Sequence, residues 1–328
     1  MHPRYEGKRR AADDYSLVFG QGRLRGSVEI IERATDLRAA LGAVRSQGRL
    51  VGLVPTMGAL HEAHLKLAEQ ARGENDLVVM SIFVNPAQFG PSEDFDRYPR
   101  PLQQDKKLAR ESGLVDVLFV PPATEMYPQG IGGERVWVDP GTIGQQLEGT
   151  SRPGHFRGVA TVVAKLFNLV QPDRAYFGQK DAQQVAVLQA MVRDLKFPVD
   201  IRAVPTVREA DGLALSSRNA YLSANERAQA PALHEALRRA QTAFQSGVKD
   251  ARVLETEVRG TIEHNAPLAH IDYVAAVDPT TFELTPSLIE DNALLALAVR
   301  FGDTRLIDNE LLVAGAGSDE AHKIEPPA

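Results

Sequence analysis

Two histidines, His61 and His64, stand three residues apart just after an apolar run and a glycine turn. At that spacing both rings lie on nearly one face of a helix start, where free backbone N–H groups favour an anion. The run at residues 50–54 is short, β-branched and bounded by Pro55, which predicts a buried strand. Thr56, Met57 and Gly58 turn the chain into a helical pattern with Leu60, Leu65, Leu67 and Ala68 apolar and Glu69, Gln70 and Arg72 polar. A strand, a glycine turn and two imidazoles on a helix start make a place to hold phosphate. The plainer reading is two polar residues on an exposed helix end; the strand–turn–helix context favours phosphate.

A similar arrangement recurs later. A strand at 173–177 is followed by Gly178, Gln179, Lys180 and Asp181 and then by a helix at 182–195. A lysine there can reach a phosphate or carboxylate, and an aspartate can accept from ribose hydroxyls. Taken alone, a surface lysine beside an N-capping aspartate is the simpler account. Further on, within residues 207–219, the adjacent Ser216 and Ser217 with Arg218 offer hydroxyls and a planar fork suited to a triphosphate. Residues 144–158 read as a long glycine-punctuated loop carrying Arg152, His155 and Arg157. Loops of that length without structure of their own are uncommon unless they do something, so a substrate-covering segment is favoured over bare flexible surface.

The elements that must position these residues alternate. Strands are predicted at 28–31, 76–84, 115–120 and 199–204, and helices at 35–47, 102–112 and 159–170. The run at 76–84 is apolar almost throughout, as in a strand buried on both faces. It ends in a polar loop from Asn85 through Gln88 to Gly90, followed by an acidic stretch with Glu93, Asp94 and Asp96. The alternation predicts an α/β fold: right-handed βαβ units in a parallel sheet with helices on both faces and ligands at the strands' C-terminal edge. The Gly-x-Gly-x-x-Gly fingerprint of nicotinamide enzymes is absent. After residue 206 the pattern changes. Ser223 and Glu226 form a capping box, Pro231 interrupts the following helix, another helix is expected at 251–263, and short strands at 271–277, 293–299 and 304–308 suggest a small α+β domain.

Composition narrows the classes. The 328 residues suffice for two domains, and 43% hydrophobic with 24% charged residues is ordinary for a globular enzyme. The net charge of −6 argues against nucleic acid as the main partner. With no cysteine there is no disulfide, thiolate metal site or cysteine nucleophile, which fits a cytoplasmic protein. No apolar run reaches transmembrane length. Residues 1–25 are charged and lack the apolar core of a secretory signal. Residues 1–27 are expected to be a flexible extension, or the result of a start codon set too early, and residues 314–328 a disordered tail.

Six segments together resemble the pantothenate synthetase (pantoate–β-alanine ligase) family. They are Pro-Thr-Met-Gly-Ala-Leu-His-Glu-Ala-His at 55–64, Phe-Val-Asn-Pro-Ala-Gln-Phe-Gly at 83–90, and Arg-Pro-Gly-His-Phe-Arg-Gly-Val-Ala-Thr-Val-Val at 152–163. The others are Tyr-Phe-Gly-Gln-Lys-Asp-Ala-Gln-Gln at 176–184, the stretch from Val204 to Asn219, and Leu-Ile-Asp-Asn at 306–309. The resemblance spans about residues 28–312. It implies a Rossmann-like domain of the HxGH nucleotidyl-transfer type over 28–206, a smaller lid domain over 207–313, and a homodimer. It implies an ATP-dependent ligase that activates pantoate as an adenylate, releases pyrophosphate, and passes the pantoyl group to β-alanine. By that resemblance Met57, Gly58, Ala59, Leu60, His61, Glu62, Ala63 and His64 form an ATP-binding turn, with His64 the proton donor and His61 beside it on the phosphates. An imidazole suits proton donation because its ordinary pKa lies near neutrality. Gly178, Gln179, Lys180 and Asp181 form a second nucleotide-binding turn, with Lys180 on charged oxygens and Asp181 on the ribose. Val207 falls at the adenine, and Leu215, Ser216, Ser217 and Arg218 clasp the phosphates. Gln88 and Gln184 match the pantoate-holding amides, Gln88 also lying near β-alanine. Mg2+ is implied as the phosphate counterion, with Asp105 its one suggested protein ligand.

One departure from the motif matters. Ala63 stands where the family normally has glycine close under the nucleotide, and the added methyl is expected to crowd it. Overpacking of about 1–3 kcal/mol corresponds to roughly fivefold to more than a hundredfold in binding, so the reading predicts a raised ATP Michaelis constant with activity retained. Two other readings are open on the sequence: a nucleotidyltransferase of the same His-x-x-His superfamily, and a catalytically silent nucleotide binder. Gln88, Gln184 and the Ser-Ser-Arg segment oppose the first; retention of both histidines, Lys180, Asp181, Ser216, Ser217 and Arg218 opposes the second.

Overall fold

The computed structural model describes residues 28–91, 93–285 and 287–313; the expected extension at 1–27 and tail at 314–328 lie outside them. The first half is a six-stranded sheet, all parallel, in the order β1-β4-β3-β2-β5-β6. In chain order the elements are β1 (Glu29–Ile31), α1 (Ala34–Arg45), β2 (Val51–Thr56), α2 (Glu62–Glu74), β3 (Leu77–Ile82), α3 (Leu102–Ser112) and β4 (Val117–Phe119). Then come α4 (His155–Val170), β5 (Arg174–Gly178), α5 (Ala182–Leu195) and β6 (Asp200–Val204).

Side-chain alternation along the strands builds two cores. Leu77 and Val79 of β3 face one core with α1, α4 and α5, while Val78, Met80 and Ile82 face the other with α2 and α3. This is why the apolar run at 76–84 is continuous. Connections run outward in both directions from β2 and β5, so the switch in strand order lies between them, where open α/β sheets bind ligands.

Three sequence expectations need correction. The strand at 50–54 does not stop at Pro55, because β2 runs on through it to Thr56. Thr56 accepts from the Phe83 N–H on the β3 side. Pro55 therefore turns its missing donor toward β5, where pairing has already ended at Leu53. The segment 144–158 is not an unstructured loop: Gly141–Gly144 and Glu148–Ser151 are short helical turns. Nor does the next helix begin at 159. Gly154, with φ of +83°, swings the chain directly into α4 at His155.

The second half contains α6 (Ala224–Gln229), α7 (Ala232–Gln245), α8 (Ala251–Asn265), β7 (Ala269–Val277), β8 (Asn292–Phe301) and β9 (Thr304–Val313). The expected capping box forms, with Ser223 Oγ accepting from the Glu226 N–H at the start of α6, and Pro231 separates α6 from α7. The three strands form an antiparallel sheet in sequence order. Leu295, Leu297 and Val299 pack on α7 and α8, while Leu294 and Ala296 on the opposite face join the core of the first half. A polar tie reinforces that seam: Arg305 donates to both oxygens of Glu148 at 2.6 and 2.7 Å, while within the second part Arg208 donates to both oxygens of Asp308 at 2.7 and 3.0 Å. Among the described residues no helix is long and apolar enough to cross a membrane.

Candidate active site

Four connections leave the C-terminal ends of β2, β3, β5 and β6 and converge on one cavity of about 240 Å³. After β2, Gly58 (φ +84°) and Ala59 (φ +49°) turn the chain through the left-handed region. Thr56 Oγ1 accepts from the Gly58 N–H at 3.2 Å and donates to the Ser81 carbonyl at 2.7 Å, stapling the turn to β3. His61 is the residue before α2 and His64 lies in its first turn, with ring centroids 4.1 Å apart. His64 Nδ1 accepts from the His61 backbone N–H at 3.2 Å, which leaves the proton on Nε2.

Both rings are neutral. Burial, then His61, then Lys180 push His64 down to about 3. Burial, then Lys180, push His61 down to about 4. The near-neutral pKa expected of His64 as a proton donor is absent from this geometry. What His64 offers the cleft is a fixed N–H donor.

After β3, Asn85 opens a short 3₁₀ turn that ends at Gln88. Asn85 Nδ2 donates to Gln88 Oε1 at 3.0 Å and to the Gly158 carbonyl at 3.2 Å, while Tyr127 Oη donates to Asn85 Oδ1 at 2.6 Å. The Gln88 amide is thus fixed with its nitrogen free to donate, at present to Met57 Sδ at 3.2 Å. His155 Nδ1 donates to the Gln88 carbonyl at 2.8 Å, and its Nε2 accepts from Arg152 Nη1 at 3.0 Å. Burial and then Arg152 hold His155 down at about 4, against the pull of the Gln88 carbonyl.

After β5, Gln179–Asp181 is a single 3₁₀ turn pinned by Asn309 Nδ2, which donates to the Gln179 and Lys180 carbonyls at 3.0 and 2.9 Å. Asp181 makes no side-chain cap on α5, and its carboxylate lies 3.8 Å from Lys180 Nζ. After β6, the Leu215 N–H donates to the Val207 carbonyl at 2.9 Å, folding the chain back so that Ser216, Ser217 and Arg218 reach the cleft. Arg218 donates to both Asp94 oxygens at 3.1 and 3.2 Å, and Arg152 Nε donates to Glu93 at 3.1 Å. Burial alone would raise these two carboxyls, but Arg152 holds Glu93 low and Arg218 holds Asp94 low.

Of the residues singled out in the sequence, the cavity wall contains Met57, His61, Ala63, His64, Gln88, Gly178, Lys180, Asp181, Gln184, Val207, Leu215, Ser216, Ser217 and Arg218. Gly58, Ala59, Leu60, Glu62 and Gln179 are not on it. Arg152 and His155 of the supposed loop are, whereas Arg157 stacks on Trp137 at 4.7 Å. Asn85 and Tyr98 also line the cavity and were missed. A polar side chain directly after an apolar strand was the available signal for Asn85. A wider depression of about 600 Å³ between α7 and α8 shares no lining residue with this cleft.

The suggestion of Asp105 as a metal ligand is corrected. Its Oδ2 accepts from the Ala59 N–H at 3.0 Å and its Oδ1 from the Leu60 N–H at 2.8 Å, and it does not line the cavity. Among the described residues no group of three or more His, Asp or Glu side chains could hold a metal ion.

The three cleft histidines, His61, His64 and His155, make stability depend on pH. Each binds its proton more weakly folded than unfolded, where the ordinary value is 6.5. The unfolded chain therefore takes up more protons as pH falls. This contribution is complete above about pH 6.5 and is lost progressively as pH falls toward the folded values near 4 and 3. The urea midpoint is expected to drop between pH 7 and 5, and His155→Asn to flatten that slope. A midpoint with no pH dependence over this interval would contradict the burial of neutral imidazoles.

Residues 29–311 match the family model described as pantoate–β-alanine ligase. Over 285 residues the chain is 52% identical to a pantothenate synthetase from Moorella thermoacetica, covering 87% of this chain and 99% of that one. A solved pantothenate synthetase from Thermus thermophilus is 49% identical, with a TM-score of 0.78 and coverage of 86% and 98%. A pantoate–β-alanine ligase from Francisella tularensis, solved in complex with β-γ ATP and β-alanine, is 35% identical, with a TM-score of 0.70 and coverage of 87% and 98%.

Proposed function

The chain belongs to the pantoate–β-alanine ligase family and forms pantothenate from pantoate, β-alanine and ATP; from that premise we propose how its cleft does so. The reaction runs in two displacements. A pantoate carboxylate oxygen attacks the α-phosphorus of ATP and pyrophosphate leaves. The β-alanine amine then attacks the acyl carbon, and AMP leaves with the oxygen that pantoate contributed.

The first displacement brings a carboxylate up to a polyanion, so preorganised donors must meet the charge where it concentrates. In this proposal the His64 Nε2–H, His61, Lys180 and the free N–H groups at the start of α2 take the phosphates. Ser216, Ser217 and Arg218 close on them from the far wall, Asp181 receives the ribose, and Val207 packs on adenine. Gln88 and Gln184 hold pantoate, and Gln88 is suited to this because Asn85 already occupies its oxygen. The observation that carries the reading is the convergence of connections from the ends of parallel strands on one cavity, beside the switch between β2 and β5.

A cavity of about 240 Å³ is smaller than the ~300–1,000 Å³ usual for ligand pockets. We therefore assign residues 207–313 the part of a lid over 28–206, in which the segment Leu215–Arg218 moves as Asp94 releases Arg218 while Arg305 and Glu148 keep the seam joined. Magnesium would enter as the counterion of ATP, held chiefly by phosphate oxygens and water. Asp181 is the one carboxylate among the described lining residues that could join it, and the ion would supply charge neutralisation on the phosphates. The reading also includes a homodimer, and a cytoplasmic site for a chain without cysteine.

Ala63 lies on the wall at the second position of α2. Ala63→Gly is expected to lower the ATP Michaelis constant by about fivefold or more, since relief of overpacking is worth ~1–3 kcal/mol. Steady-state titration of ATP checks this; an unchanged constant would mean that the methyl does not touch the nucleotide. The whole reading is tested by pyrophosphate release with ATP and magnesium, adding pantoate and β-alanine singly and together. Sustained release of pyrophosphate with AMP is expected only with both. Formation of ADP and phosphate instead, or no turnover at saturating ATP, would overturn it.

A further inference from the structure

We propose that Asp105 is the positioning residue of the catalytic turn: from α3, its two carboxylate oxygens clamp the Ala59 and Leu60 N–H groups and so set where His61 and His64 stand. This rests on the cleft being the ATP site, which the loss of turnover expected for His64→Ala tests separately from any Asp105 variant.

Asp105 is 2% exposed and forms no ion pair among the described residues. A carboxylate taken out of water without a cation is costly unless its oxygens are fully used. Among the described residues they are used only on the turn, at 3.0 Å to the Ala59 N–H and 2.8 Å to the Leu60 N–H. Ala59 has φ of +49°, a left-handed conformation that a residue with a Cβ adopts only when its surroundings enforce it. Gly58 closes down on the same side chain, since a Cβ there would meet Asp105 Oδ2 at 3.0 Å.

The consequence passes along two residues of chain. Leu60, held by Asp105, leads directly to His61, whose backbone N–H donates to His64 Nδ1. The clamp therefore fixes the turn, the start of α2 and the His64 tautomer together. Asp105 itself is not on the cavity wall, so it acts through these backbone groups and not on the substrate.

Asp105→Asn keeps the shape but turns an NH2 toward one of the two N–H donors. The expected result is an ATP Michaelis constant raised at least tenfold with the pantoate constant within twofold. A second change, Ala59→Gly, is expected to recover at least threefold of that loss, because glycine adopts the left-handed turn without the clamp. If Asp105→Asn alone yields no folded protein, the Asp105→Asn, Ala59→Gly pair compared with Ala59→Gly carries the same comparison. An ATP constant unchanged by Asp105→Asn, or a loss confined to kcat that follows a smaller folded fraction, would overturn the proposal. So would restoration of ATP affinity by raised magnesium alone, which would make the carboxylate a metal ligand.

Discussion

His64→Ala is expected to lower kcat for pantothenate formation by about 10²–10³-fold, the usual cost of removing one preorganised donor from a developing negative charge. His64→Gln is expected to recover at least tenfold of that loss. The distinction between the two variants comes from the ring's protonation. With its Nδ1 occupied by the His61 N–H and its pKa pushed down to about 3, His64 is neutral over the working pH range and presents one N–H from Nε2. A glutamine amide can aim an N–H at nearly the same place but cannot deliver a proton as an acid. If His64 acts by donating a hydrogen bond, glutamine is a partial substitute. If glutamine is as inactive as alanine, proton transfer is the essential act, and bound phosphates must raise the imidazole pKa by several units to permit it. The pH dependence of kcat/KM for ATP adds a second reading, because no inflection from His64 is expected between pH 6 and 8.

Gly158→Ala is expected to destabilise the fold by about 1–3 kcal/mol, the range for overpacking a close contact, and to raise the pantoate Michaelis constant more than tenfold. A Cβ on Gly158 would lie 2.2 Å from the Ala87 carbonyl oxygen, 2.5 Å from its carbon and 2.7 Å from Gln88 Cα. All three are backbone atoms, so no rotamer change relieves the clash. Either α4 or the Asn85–Gln88 turn must move. Movement of either breaks the Asn85 bond to the Gly158 carbonyl and the His155 bond to the Gln88 backbone carbonyl, which hold the turn and the Asn85 amide that in turn fixes the Gln88 side chain. The His61–His64 turn rests on Asp105 instead, so the ATP constant should change much less. Urea melts and separate titrations of the two substrates measure both effects. Equal changes in both Michaelis constants would contradict a division of labour between the β2 and β3 connections.

What the sequence could express was local. The run at 77–82 announces a strand buried on both faces because every residue in it is apolar or small. The His-x-x-His spacing announces a shared helix face, and the capping box at Ser223 announces the start of α6. The seam of the α4 start was hidden because Gly154 and Gly158, read as loop residues, serve a left-handed turn and a close backbone approach. Pro55 reads as a terminator until it is known that the neighbour on its bare side has already diverged.

Polar partnerships across the chain left no local trace. Asp105 meets Ala59 from 46 residues away, Arg218 meets Asp94 across 124, and Arg305 meets Glu148 across 157. Family resemblance could place Asp105 near the phosphates, but only geometry shows that its oxygens are already committed to the turn. Likewise an imidazole type alone suggests a pKa near neutrality, whereas burial beside Lys180 removes it.

The most direct test of the account is the fate of oxygen in one turnover. With 18O in both carboxylate oxygens of pantoate, the two displacements predict that AMP carries one label and that the new amide keeps the other. Unlabelled AMP, or label recovered in inorganic phosphate beside ADP, would contradict attack of the pantoate carboxylate on the α-phosphorus.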